Sequence, residues 1–198
     1  MTQPYSFNRG KPFYPIIMSY TFQLHAMTEL AILGIPGIER KLEFHPDPQN
    51  EEMKDLIEKL KGPLNLKVTG DKNMMDLHSL KAASEFVQNF SYLAKFQIIS
   101  ASHCLVMGHE VTKDKAYRNK DPLWEFLRHC RNAVAHNGVF RFSNNEPKYN
   151  AEWRGIKIEK SMEGRSLMKD QNGNGYLNLG DPIALLWDIE EGYPEITI

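Results

Sequence analysis

Three Asp-Pro pairs, at positions 47–48, 121–122 and 181–182, punctuate this chain of 198 residues and constrain its fold more than any other feature. An aspartate side chain accepts hydrogen bonds from the free amides that open a helix, and proline at the first helical position gives up no useful donor. Each pair therefore predicts a helix start. Behind the first, Met53, Leu56, Ile57 and Leu60 keep helical spacing until Gly62-Pro63. The second opens a helix that Asn137-Gly138 closes, because both residues tolerate the left-handed conformation that ends helices. The third predicts a terminal helix to about Glu191.

The remaining pattern fills in around these starts. Residues 1–15 carry Pro4, Gly10, Pro12 and Pro15 and read as an extended N-terminal arm. Residues 16–33 read as a helix ended by Gly34, Pro36 and Gly37. Residues 74–108 read as a long helical pattern, with Leu77, Leu80, Phe86, Val87, Phe90, Leu93 and Phe96 on one broad stripe. Residues 110–120 read as a polar loop. Residues 139–142, 153–158, 166–168 and 176–179 look like short strands between turns such as Asn172-Gly173-Asn174-Gly175. The expected fold is mainly α: a helical bundle with a small β-hairpin or sheet inserted between the second Asp-Pro helix and the last. Residues 16–198 read as one domain, with the β appendage at about 139–180.

Composition removes several classes of function. A net charge of -1 and a pI near 6.7 do not suit a protein that coats long nucleic acid, whose affinity comes from neutralising many phosphates. They leave room for a local basic site. The two cysteines, Cys104 and Cys130, give no disulfide framework and fit a reducing compartment. The first residues lack a basic region followed by an apolar run, and the apolar stretch 16–33 contains Gln23, His25 and Glu29. A cytoplasmic protein with no membrane partner is expected. His103, Cys104 and His109 lack the paired short spacings of zinc sites, so no metal and no cofactor is expected. Cys130 lies on an apolar arc and reads as a buried thiol. Lys113, Lys115, Arg118 and Lys120 read as a solvated loop, although they could also line an RNA path.

The helix behind Asp121 carries the chemistry. At 100° per residue, Leu123, Phe126, Leu127, Cys130, Ala133 and Val134 share one arc of roughly 120°. Arg128, His129, Asn132 and His136 fall on the opposite arc, and Arg131 sits at its edge. Arg131 and His136 are roughly 140° apart, so a direct contact between them is not expected. Guanidinium, amide and imidazole nevertheless suffice for phosphodiester chemistry without a metal. Arginine fits phosphate oxygens as a charged fork, and histidine passes protons near neutral pH. A two-fold axis near His136 would bring two imidazoles and two guanidiniums into one cleft. A plainer reading is that these positive groups simply favour the helix C-terminus.

Arg131-Asn132-x-x-x-His136, on a helix ended by Asn-Gly in a helical context, resembles the HEPN family, whose motif is Arg, a polar residue, a few variable residues and His. The resemblance is tight over about residues 124–138. Trp153-Arg154-Gly155 and the Leu179-Gly180-Asp181 helix start are similar to a plasmid-borne HEPN branch. The resemblance implies a four- or five-helix bundle and a metal-independent endoribonuclease working as a homodimer on RNA. Arg131, Asn132 and His136 are then the catalytic residues. Arg128 and His129, which the motif does not assign, are candidate substrate contacts on the same polar arc. The resemblance leaves open a noncatalytic module that binds RNA, a nucleotide or a protein, and a toxin-like protein held by a neutralising partner.

Overall fold

The computed structural model describes residues 9–33, 64–67, 74–77, 89–114, 120–143 and 145–194. Within them the protein is mainly helical. The described elements are helices α1 (Tyr14–Leu33), α2 (Phe90–Thr112), α3 (Pro122–Ala135) and α4 (Asp181–Gly192) and two small antiparallel sheets. One pairs β1 (Leu64–Lys67) with β2 (Met74–Leu77), and the other pairs β3 (Glu152–Trp153) with β4 (Ile156–Lys157). Among the described residues, no helix is long and apolar enough to cross a membrane. The chain divides into two compact units, Met1–Leu24 with Ala94–Ile198, and His25–Leu93.

In the His25–Leu93 unit, Leu64 lies opposite Leu77 and Lys67 opposite Met74. This corrects the long helix expected from residue 74. Met74, Met75 and Leu77 are an apolar run too short for periodicity to separate strand from helix, and the backbone partner at 64–67 decides the matter. The helix proper begins at Phe90, where the Asn89 side chain accepts from the Ser91 N–H, and it runs on to Thr112 through the start of the expected polar loop. The helix expected behind Asp47-Pro48 lies outside the described residues.

The other unit holds one continuous core. Ile17 and Tyr20 of α1, Ala101, Cys104 and Leu105 of α2, Phe126, Leu127 and Cys130 of α3, and Leu185, Leu186 and Ile189 of α4 pack into it. The described end of the expected extended arm is instead a turn. Phe13 is fully buried, and its N–H donates to Glu190 Oε1 at 2.9 Å. The Tyr20 hydroxyl donates to the Leu179 carbonyl at 3.0 Å. The beginning of the unit is thereby tied to its last helix, because a buried amide or phenol must find an acceptor. Gly108 lets α2 approach α4: a Cβ there would lie 2.4 Å from Leu186 Cδ2.

Both sequence signals of α3 are visible. Asp121 is extended, and its carboxylate accepts from the Leu123 N–H at 2.9 Å. At the other end Asn137 (φ 60°) and Gly138 (φ 75°) adopt the left-handed conformation, and the Gly138 N–H returns to the Ala133 carbonyl at 2.9 Å. The chain then crosses the core as Phe140, with a bridge from Val139 to Ser166 and another from Met168 to Leu177. Only β3 and β4 of the expected short strands are regular ladders. Trp153 packs on Phe126 with ring centroids 5.7 Å apart, which fastens the appendage to α3. Its indole N–H donates to Asp188 of α4 at 2.6 Å, and Arg154 binds the same carboxylate through two nitrogens at 2.6 and 2.8 Å.

Candidate functional site

The C-terminal half of α3 presents the motif. Cys130 and Ala133 face the core, so the helix phase leaves Arg131 and Asn132 half-exposed and His136 exposed. His136 is the C-cap residue (φ -104°, ψ 43°). Its N–H reaches the carbonyls of Asn132 at 3.1 Å and Ala133 at 3.0 Å. The turn behind it is held by the Leu167 N–H, which donates to the Gly138 carbonyl at 2.7 Å. The imidazole therefore stands in solvent on a fixed backbone.

Arg131 is oriented by two contacts. One Nη donates to Glu110 Oε1 of α2 at 3.2 Å, and the other lies 3.5 Å from Asn132 Oδ1, a weak contact. As the helix geometry predicts, no hydrogen bond among the described residues joins Arg131 to His136. Glu110 is the site residue that the sequence does not reveal. It also pairs with Lys113 at 3.3 Å and lies 3.5 Å from His109 Nδ1. The Lys113 ammonium, with help from Arg131 and His109, holds its carboxyl below the usual range. The result is an ionised carboxylate that fixes the guanidinium from the neighbouring helix. No local signal points to it, since Glu110 and Arg131 are 21 positions apart.

Arg128 and His129, the expected substrate contacts, occupy a different setting. Arg128 donates to Glu125 Oε2 at 2.8 and 3.1 Å and to Glu146 Oε1 at 2.9 Å. Burial opposes its charge, but these bonds outweigh burial and raise its pKa. The same bond from Arg128 holds the Glu146 carboxyl low. His129 is 2% exposed, against its expected place on the polar arc, because Phe142 covers it edge-on at 5.5 Å and Arg128 caps its Nε2 at 3.1 Å. Burial first, and then the Arg128 cation, lower its pKa. Arg128 is thus a clamp between α3 and the loop at Glu146, with its donors already committed to carboxylates.

The thiols are structural. Burial pushes Cys104 up to about 12 and Cys130 still higher. Among the described residues, no three His, Cys, Asp or Glu side chains gather as they would around a metal ion. No protein-family model, no curated protein and no solved structure matches the chain.

Proposed function

We propose that the chain is a HEPN-type, metal-independent endoribonuclease whose site is completed by a second copy of itself. The observation that carries this reading is the exposed end of α3. There Arg131, held by Glu110, lies beside Asn132, and His136 stands free one turn further on.

The chemistry follows from those groups. One imidazole takes the proton of a ribose 2′-hydroxyl as O2′ attacks phosphorus. The P–O5′ bond breaks, and a second imidazole protonates the leaving O5′. A 2′,3′-cyclic phosphate and a 5′-hydroxyl result. Arg131 neutralises charge gathering on the phosphoryl oxygens. Asn132 keeps the guanidinium turned toward the site. One chain carries one motif histidine, so a two-fold pairing of this surface supplies the second.

The test is cleavage of several RNA classes in the presence of a chelator. Wild type is expected to cut, and His136→Ala and Arg131→Ala are expected to lose the activity. Full cleavage by His136→Ala would refute the reading. A second reading, a noncatalytic module that binds RNA or a protein, is favoured by the near-neutral charge and by the carboxylate already resting on Arg131. It predicts saturable binding without turnover. In a toxin-like variant of the first reading, expression slows growth and His136→Ala relieves it.

A further inference from the structure

Away from the motif, an open groove of about 660 Å³ runs beside the β3–β4 hairpin. Its floor is Ala151 and Ile158, joined by the Ile158 N–H donating to the Ala151 carbonyl at 2.9 Å. One end is walled by Glu146, held in place by Arg128 at 2.9 Å. The groove is therefore built on fixed backbone and a half-buried ion pair. Its volume falls within the roughly 300–1,000 Å³ of ordinary small-ligand sites.

Its chemistry is more specific. The Glu146 charge is spent on Arg128, and Lys157 is spent on Glu152 at 3.2 Å. Lys148 and Lys160 are exposed, and neither has a carboxylate partner among the described residues. The half-exposed ring of Tyr149 lines the same groove, with Lys148 Nζ over it at 5.5 Å and Lys120 Nζ over it at 5.7 Å from its centroid. An aromatic ring with ammonium groups resting over it suits a nucleotide, the base taking a lysine's place on the ring while the displaced ammonium meets a phosphate. The groove also adjoins the motif helix. Arg128, Asn132 and His136 share one face of α3 at four-residue steps, a rise of about 12 Å, and Arg128 touches the groove wall.

We propose that this groove is a subsite for single-stranded RNA, binding the segment that flanks the phosphate held at Arg131 and His136. The choice of RNA rests on the ribonuclease reading. Glu159 stands in the same groove without a cation partner among the described residues, so the contact is short, one or two phosphates and a stacked base.

The test is fluorescence anisotropy of a labelled oligouridylate with the full chain, in a His136→Ala background so that binding is read without cleavage. Lys148→Gln/Lys160→Gln is expected to lower the salt slope by about 1.4 and to weaken binding about twentyfold near 0.1 M salt, since each single-strand phosphate contact contributes roughly 0.7. Tyr149→Leu is expected to weaken binding by roughly 5- to 160-fold, the range for one lost stacking contact. Glu159→Gln is expected to tighten binding. The charge-matched control Arg141→Gln/Arg165→Gln, neither residue of which lines the groove, is expected to bind as the parent does. A parent that does not bind the oligomer, or a lysine variant that binds like the parent, overturns the subsite. Chelator-resistant cleavage that needs His136 but ignores Lys148 and Lys160 would leave the ribonuclease reading standing and this subsite refuted. Groove-dependent binding by a chain that never cleaves would do the reverse.

Discussion

Replacing Arg128 by methionine separates a structural clamp from a substrate contact. The variant keeps the apolar stem but removes the guanidinium between Glu125 and Glu146. Those carboxylates are 10% and 27% exposed as side chains, and Arg128 itself is 29% exposed. Stripping one partner from a fully buried pair costs about 3–5 kcal/mol, whereas exposed pairs contribute about 0–1 kcal/mol. This half-buried cluster falls between them, at about 2–3 kcal/mol. With a urea slope near 2 kcal/mol per molar, the midpoint is expected to fall by roughly 1–1.5 M. Tryptophan fluorescence is the right probe, because Trp124, Trp153 and Trp187 all belong to the unit that contains α3. Adding Glu146→Gln is expected to recover part of the loss, since the orphaned charge is then removed. A stability loss under about 0.5 kcal/mol would refute the clamp. So would a loss of RNA affinity and salt slope with stability intact, which is what a direct phosphate contact predicts.

Other outcomes follow from the same contacts. His129 is held neutral below its ordinary value of 6.5, whereas the unfolded chain protonates there, so stability is full above pH 6.5 and falls on acidification below it. His129→Gln is expected to flatten that limb in urea titrations between pH 7 and 5, and an unchanged slope would contradict the assignment. Gly108→Ala is expected to cost about 1–3 kcal/mol by overpacking Leu186, with part recovered in the Gly108→Ala/Leu186→Val double variant, both read by thermal melts. Glu110→Gln is expected to leave the melting temperature unchanged, since both partners are about one-third exposed, yet to slow RNA cleavage, with Glu110→Asp retaining more activity. Cys104 and Cys130 are expected to resist alkylation at pH 8 in the folded protein and to react in urea, which mass spectrometry would read directly.

What the sequence made legible is local chemistry. Asp121-Pro122 and Asn137-Gly138 mark the two ends of α3, because capping uses groups a few positions apart. Asp181-Pro182 marks the start of α4 by a different contact: Gly180 is the N-cap, and the Asp181 carboxylate accepts from the Asn178 N–H at 2.7 Å, not from a helix amide. The core face of α3 is equally legible, since Phe126, Leu127, Cys130 and Ala133 follow one helical period. What depends on distant partners was not legible. Met74–Leu77 became a strand through pairing with Leu64–Lys67. His129 sits on the polar arc of its own helix but is roofed by Phe142 and Arg128, which no single-helix projection includes. The burial of Phe13 depends on Glu190 at the far end of the chain. At the candidate site the sequence supplied Arg131, Asn132 and His136, while Glu110, which fixes the guanidinium, comes from a separate helix.

The most direct test of the ribonuclease account is the chemistry of the cut ends. RNA incubated with wild type in excess chelator, beside His136→Ala purified identically, would be analysed for its termini. The account predicts 2′,3′-cyclic phosphate and 5′-hydroxyl ends from wild type and intact RNA from His136→Ala. Ends bearing 5′-phosphate, or the same fragments from both proteins, would contradict it.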